Sequence, residues 1–359
     1  MKQSVPTDQS RMNSSGSASS ILAVGLNPAW QRILEFERVE FGSVNRSEKR
    51  VECVAGKAAN VLRALACGDR RDALLVQLAG GLTGQRCVEA LDAEGLDHRT
   101  VQIRDETRTC TTVIEHAPNP RTTELIDPSP NVRPSEFRDL CRRLETDPEL
   151  HCLGTALCGT WPPGADVSAY IAAAAAARKR GFVILDAWRD VEPVLRQGVD
   201  ILKINACELR SLTGCDNLRE AAAACLDQYA PTGIAVTDGA SAAHLFCPGI
   251  TYTYEIPPLP NLINPIGAGD CVTAGMLAAL VPGNSAEQMR HTEDAPLRPT
   301  VPDIAQAFRQ GLAWGRTSCG ELIPARFKPA DADPDSIPWH CNTHAQIVDS
   351  GASRAKHDS

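Results

Sequence analysis

No apolar run in this chain reaches the roughly 18 to 20 residues a helix needs to cross a bilayer, and the apolar segment 21–26 is too short for a signal-peptide core. That absence points to a protein retained in the cytoplasm. There is no C-x-x-C pair and no histidine cluster at zinc-ligand spacing, although the chain has 14 cysteines. They lie scattered through apolar stretches, as at Cys67, Cys158 and Cys225, and read as reduced thiols of a cytosolic core. No long Lys/Arg run offsets the formal net charge of −8, so holding nucleic acid or an anionic membrane by charge alone is excluded. Any phosphate must therefore be met locally. The G-x-x-x-x-G-K-[ST] spacing of a P-loop is missing, and no G-x-G-x-x-G follows the first strand, which counts against a nicotinamide oxidoreductase.

What the chain does have is length and apolar content: 359 residues at 43% hydrophobic are enough to bury one large core. Residues 1–20, rich in Ser, Gln, Asn and Gly, and the polar stretch 333–359 bury too little apolar surface to offset ordering entropy, and both are expected to be disordered. One domain is expected over 21–332, with a polar surface insertion at 283–302 that carries three prolines. Short apolar runs at 21–26, 73–78, 152–158, 183–186, 201–204 and 234–237 read as buried strands. Helical patterns follow at 58–67, 167–180, 218–228, 272–280 and 304–319, the second of them rich in alanine. This alternation predicts an α/β fold, doubly wound, with a mostly parallel sheet flanked by helices on both faces.

Two regions break the rhythm. Residues 33–54 and 100–126 read as successive short strands with no helix between them, which predicts a small separate sheet with strands within about 31–54 and 100–127. Ligands of open α/β sheets sit at the carboxyl ends of the strands, so a small sheet at that edge is placed to act as a lid.

The segment Asn264, Pro265, Ile266, Gly267, Ala268, Gly269, Asp270 runs into the apolar helix that follows. Small residues at a loop-to-helix junction let backbone N–H groups approach an anion, and the helix dipole favours negative charge there. An aspartate in that turn can accept a proton from an attacking hydroxyl. Taken alone, the same four residues are equally a glycine turn with a capping aspartate. The segment Ala55, Gly56, Lys57, Ala58, Ala59, Asn60, Val61 offers close backbone approach, a cation and a two-way hydrogen-bonding amide, and alone it is also a plain helix start. Asn205, Ala206, Cys207, Glu208, preceded by Lys203 at a strand end, could organise metal and phosphate or simply cap a helix.

Together and in this order the three segments resemble the signatures of the PfkB or ribokinase-type carbohydrate kinases. The resemblance covers roughly residues 20–325 and implies a ribokinase-like fold with a small β-sheet lid. It implies Asp270 as catalytic base, with Gly267, Ala268 and Gly269 forming the anion hole. Asn27, Pro28 and Ala29, the pair Thr107 and Arg108, the pair Thr123 and Glu124, and the turn Gly159 to Gly164 resemble the 1-phosphofructokinase and tagatose-6-phosphate kinase branch. That branch implies ATP-dependent phosphorylation of a sugar phosphate, fructose 1-phosphate first, with tagatose 6-phosphate or fructose 6-phosphate as alternatives. Gly56, Lys57, Asn60 and Arg108 would hold the substrate, Arg108 as the clamp on its phosphate. Lys203, Asn205, Glu208, Thr237 and Gly239 would serve ATP, with Asn205 and Glu208 organising Mg2+ indirectly. A homodimer through the lid is a further expectation. Several positions depart from the pattern: Gln31 stands where the branch has Asp, Ala55 and Ala58 where the family has Gly, Thr160 where the branch has Ser, and Pro265 where the family commonly has Thr. Gln31 would still face the sugar, as an uncharged amide. These departures keep open a non-catalytic sugar-phosphate sensor with the same fold.

Overall fold

The computed structural model describes residues 19–116, 121–283 and 295–343. The chain starts with β1 (Ile21–Gly25), then leaves the main layer for β2 (Ala29–Phe36) and β3 (Lys49–Ala55). It returns through α1 (Lys57–Cys67), β4 (Ala73–Gly80), α2 (Gly81–Ala93) and β5 (His98–Ile103). A second excursion makes β6 (Thr109–Glu115) and β7 (Arg121–Ile126), followed by α3 (Pro134–Thr146), β8 (Gly154–Cys158) and α4 (Ser168–Ala177). The second half runs β9 (Phe182–Asp186), α5 (Glu192–Arg196), β10 (Ile201–Asn205), α6 (Ala206–Thr213), α7 (Leu218–Tyr229) and β11 (Gly233–Thr237). It closes with β12 (Ala243–Cys247), β13 (Ile250–Tyr254), α8 (Ala268–Leu280), α9 (Val301–Ser318) and β14 (Trp339–Thr343).

Ten strands form one sheet in the order β14-β13-β12-β11-β10-β9-β8-β1-β4-β5. Pairing is parallel from β5 through β11 and antiparallel across β12, β13 and β14. The doubly wound α/β architecture is therefore present. Continuous apolar runs make this possible, because a strand covered by helices on both faces must bury alternate residues on each side. In β1, Ile21 and Ala23 belong to the core on one face, and Leu22 and Val24 to the core on the other. Chain order reverses beside β1, whose neighbours are β8 and β4, and such a reversal opens a crevice at the carboxyl ends of the strands. The four strands β3-β2-β6-β7 make the small second sheet, with one parallel pair, β2 on β6, between two antiparallel pairs.

Two sequence expectations need correction. The stretch 100–126 is not all small sheet: β5 pairs parallel with β4, and only β6 and β7 join the second sheet. An edge strand that buries only Val101 and Ile103 carries the alternating pattern of a lid strand, and the helix that makes it part of a β4-α2-β5 unit opens on Gly81 with a second glycine at Gly84, both poor helix formers. The expected disorder from 333 onward is also wrong for residues up to Thr343. There β14 extends the large sheet beyond β13, and Trp339 stacks on Tyr252 at 5.3 Å and on Tyr254 at 5.8 Å. One tryptophan supplies the apolar anchor that a composition average dilutes. The remainder of that expected tail, residues 344–359, most of the expected N-terminal one, 1–18, and 284–294 of the insertion lie outside the described residues. All 14 cysteines are free thiols, and no described helix is long and apolar enough to cross a membrane.

Candidate active site

The crevice beside β1 is a cavity of about 200 Å3. Asn27 and Pro28 border it after β1, Gly56, Lys57, Ala58 and Ala59 from the start of α1, and Arg108 from the entry to β6. Gly159, Thr160 and Trp188 close it from the loops after β8 and β9, and Glu208 from α6. The first turn of α1 is set by Gly56 at φ 121°, where a Cβ would lie 3.0 Å from Pro28 Cα. Only glycine meets both conditions.

Beneath the cavity four charged side chains converge. Asp186 ends the otherwise apolar β9 and is buried; its Oδ1 accepts from Lys57 Nζ at 2.7 Å and its Oδ2 from Lys203 Nζ at 3.1 Å and Thr273 Oγ1 at 2.7 Å. Burial alone would raise this carboxyl, but the Lys203 and Lys57 ammonium groups override it and hold Asp186 well below the usual carboxylate range. Lys57 is pulled down by burial and pushed further up by Asp186 and Asp270, so it stays charged. Asp270 lies in the first turn of α8, and its Oδ2 accepts from Asn60 Nδ2 at 2.8 Å. Burial and then the charge of Asp186 lift its pKa to about 6, against the opposing pull of Lys57 and Lys203. One carboxylate is thus locked in its charged form and the other is tuned towards neutrality.

Gly267 is the residue before α8, in the left-handed region at φ 83°, so the first-turn amides of Gly269 and Asp270 have no intrahelical acceptor. A Cβ on Gly269 would sit 2.8 Å from Lys203 Nζ. An anion arriving at this helix end therefore meets amide N–H groups and an ammonium together. The sequence reading began this helix at Val272; the earlier start puts Asp270 on helical backbone.

The structure thus brings Lys57, Asn60, Lys203, Gly267, Ala268, Gly269 and Asp270 to one place. Arg108 borders the same cavity, with Nη2 donating to Asn27 O at 3.0 Å and a buried Nε that has no partner. Asn205 and Glu208 form a reciprocal cap: Asn205 Oδ1 accepts the Glu208 N–H at 2.8 Å and Glu208 Oε2 the Asn205 N–H at 3.0 Å. Both the capping and the cavity-facing readings therefore apply to Glu208, which is also cavity wall. Thr237 is paired with Asn205 at the ends of β11 and β10, and Gly239 is exposed at φ 58°; neither borders the cavity. Gln31 is not cavity wall either. Its side chain is buried and Nε2 donates to Thr112 Oγ1 within the small sheet. Ala58 packs its methyl beside Gly25, where a Cβ would lie 2.5 Å away. Asp186 was missed by the motif reading, although an acid closing the run Phe-Val-Ile-Leu is a signal, since charge at such a position is seldom left unpaired.

The fold and this cluster are those of a ribokinase-like phosphotransferase. The sequence model described as "pfkB family carbohydrate kinase" matches residues 20–290. The chain belongs to that family and is a carbohydrate kinase. Tagatose-6-phosphate kinase of Staphylococcus epidermidis is 25% identical over 284 residues, covering 75% of this chain and 88% of the relative. Two solved structures attest the fold. A possible 1-phosphofructokinase from Thermotoga maritima has a TM-score of 0.72 at 19% identity, covering 90% of this chain and 99% of its own. Phosphofructokinase-2 of Escherichia coli in complex with fructose-6-phosphate has a TM-score of 0.69 at 22% identity, covering 88% and 97%.

Proposed function

We propose that this kinase transfers the γ-phosphoryl group of ATP to a ketohexose phosphate, with fructose 1-phosphate as the first candidate and fructose 1,6-bisphosphate as product. The observation that carries the reading is a cavity walled by both Lys57 and Arg108, whose buried Nε has no partner, with the near-neutral base Asp270 lying beneath it, bonded to Asn60 and acted on by Lys57. A kinase of an unphosphorylated sugar has no need of a cation on the far side of its substrate. The chemistry balances simply. The sugar hydroxyl oxygen bonds to the γ-phosphorus, the bond to the ADP oxygen breaks, and the hydroxyl proton goes to Asp270. Lys203 and the amides of Gly267 and Gly269 meet the transferring group, the Ala268 N–H donating instead to Pro265 O at 3.3 Å, and Lys57, Gly56 and Asn60 hold the acceptor.

Magnesium, when bound with the nucleotide, neutralises charge on the phosphates. The residues present suit an ion that arrives that way. No group of three or more His, Cys, Asp or Glu that could hold a metal exists among the described residues, while Glu208 offers a single carboxylate at the cavity wall. Lys203, Asn205, Thr237 and Gly239 are assigned to the nucleotide side with it. Tagatose 6-phosphate is the second reading, favoured by the curated relative's name.

Arg108→Ala tests the substrate class. It should raise KM for the sugar phosphate by about tenfold to a hundredfold, the worth of a charge-assisted hydrogen bond, and leave KM for ATP unchanged. Toward free fructose the variant should behave like the wild type. An equal loss on both sugars, or none on either, contradicts the sugar-phosphate reading and leaves the family untouched.

A further inference from the structure

The family motif on α1 ends at Asn60 and Val61, yet the most completely bonded side chain of that helix lies one turn further on. Arg63 is 2% exposed. Its Nε and Nη2 donate to Glu94 Oε2 and Oε1 at 2.8 and 3.1 Å, and Nη2 also to Val54 O at 2.8 Å. Nη1 donates to Asn60 Oδ1 at 3.1 Å and to Pro324 O at 3.4 Å. We propose that Arg63, held by Glu94, is a positioning residue for the base Asp270 and acts through Asn60. The proposal rests on Asp270 being the base.

The reason is the chemistry of the guanidinium and of the one amide between it and the base. An asparagine amide can present either its oxygen or its NH2 to a neighbour, and nothing in the residue itself chooses. A guanidinium has only donors, so the Asn60 atom that faces Arg63 must be the oxygen. The NH2 is then turned to Asp270, where Nδ2 lies 2.8 Å from Oδ2. This fixes which carboxylate oxygen is occupied and leaves Oδ1 for the hydroxyl proton. The other groups that act electrostatically on or with Asp270 are Asp186 from β9, Lys57 from α1, Lys203 from β10 and the buried thiols of Cys158 from β8 and Cys271 from α8. None of them bonds to Asn60, so none can set its orientation.

The remaining contacts of Arg63 tie the same orientation to the walls of the site. Val54 is in β3, the strand that leads into Gly56 and Lys57. Pro324 packs on the turn before α8, since a Cβ on Gly267 would lie 3.1 Å from Pro324 Cβ and 3.0 Å from Ala325 N. One buried cation therefore spans the root of the small sheet, the amide that orients the base, and the backing of the anion-binding turn.

A double-mutant cycle between Arg63→Lys and Asn60→Ala tests this, because lysine keeps the charge beside Glu94 but cannot form the same fork. Arg63→Lys should lower kcat about tenfold, leave KM for MgATP within about twofold, and move the acid limb of the pH–rate profile upward, since an amide free to turn its oxygen to Asp270 disfavours the carboxylate. In the Asn60→Ala background the same substitution should have no further effect. Arg63→Met combined with Glu94→Gln, which removes both charges together, should reproduce the result if the lysine variant is poorly folded. The Asp270 carboxyl titration, read by carbon NMR and assigned by its loss in Asp270→Asn, should move upward in parallel without any substrate present. A folded variant with wild-type kcat and wild-type titration midpoint, or effects that multiply in the Asn60→Ala background, overturns the proposal. Should the wild type turn over no sugar at all, the kinase reading falls and the titration alone decides the role of Arg63.

Discussion

Asp270 and Asp186 face the same two lysines and yet are driven to opposite protonation behaviour. Asp186 takes direct bonds from Lys57, Lys203 and Thr273, whereas Asp270 takes one from the neutral amide of Asn60. A carboxyl lifted to about 6 is protonated below that pH and cannot accept the hydroxyl proton, so kcat/KM should fall tenfold per pH unit below about 6, and the limb should be absent in Asp270→Asn. The same shift acts on stability in the other direction. Native Asp270 binds a proton more readily than the unfolded chain, so its contribution to stability declines as pH rises from the ordinary carboxylate range to about 6. At this scale the sequence was legible where residue type and spacing mattered together: Lys57, Asn60 and Asp270 are found side by side. It was not legible for Asp186 or Arg63, whose importance comes from partners 87 and 31 residues away in the chain, such as Thr273 and Glu94. The bond from Gln31 to Thr112 across the small sheet was not legible either, since it joins residues 81 apart in the chain.

Elements were legible in proportion to how strongly burial marks them. Each of the six strands read from apolar runs is present, because a parallel strand covered on both faces is built almost wholly of apolar residues. The helices read from the sequence are present with starts shifted by up to four residues, most usefully at α8. What escaped were α2 with its glycines, α3 with only Phe137, Leu140 and Leu144 buried, α5 of five residues, and the strands β12 and β13. Strand β14 escaped for a different reason, since four of its five residues are exposed and its place depends on Trp339 meeting Tyr252 and Tyr254. Trp339→Ala should therefore destabilise the protein by about 2 kcal/mol, less than the cost at a fully buried tryptophan, and leave KM for the sugar unchanged. Thermal denaturation beside steady-state kinetics checks this. An unchanged melting temperature would mean that β14 is only laid on the sheet.

Across the described residues, four of the seven exposed large hydrophobics lie on or beside the small sheet, the others being Leu82, Leu262 and Ile263. Leu125 and Ile126 on its outer strand are 58% and 56% exposed, and Phe41 and Val44 between β2 and β3 are 91% and 79% exposed. Exposed apolar residues on an open edge strand invite pairing, and a homodimer through the lid is proposed on that ground. Light scattering should give twice the monomer mass at micromolar concentration, and Leu125→Glu with Ile126→Lys should restore the monomer; a wild-type monomer throughout that range contradicts it. The fold as a whole was legible because three weak motifs occur in one order on one α/β chain. The sugar was not, because it depends on which side chains the folded cavity presents. The central claim is that this cavity phosphorylates a phosphorylated ketohexose with Asp270 as base. It is tested most directly by ADP release from MgATP against fructose 1-phosphate, tagatose 6-phosphate, fructose 6-phosphate and fructose, for wild type and Asp270→Asn side by side. The expected result is turnover on one of the sugar phosphates far above that on fructose, reduced at least about a hundredfold by Asp270→Asn with nucleotide affinity retained. Turnover that survives the substitution, or folded wild-type protein that binds these sugars and releases no ADP, would contradict it, the second outcome being that of a sensor.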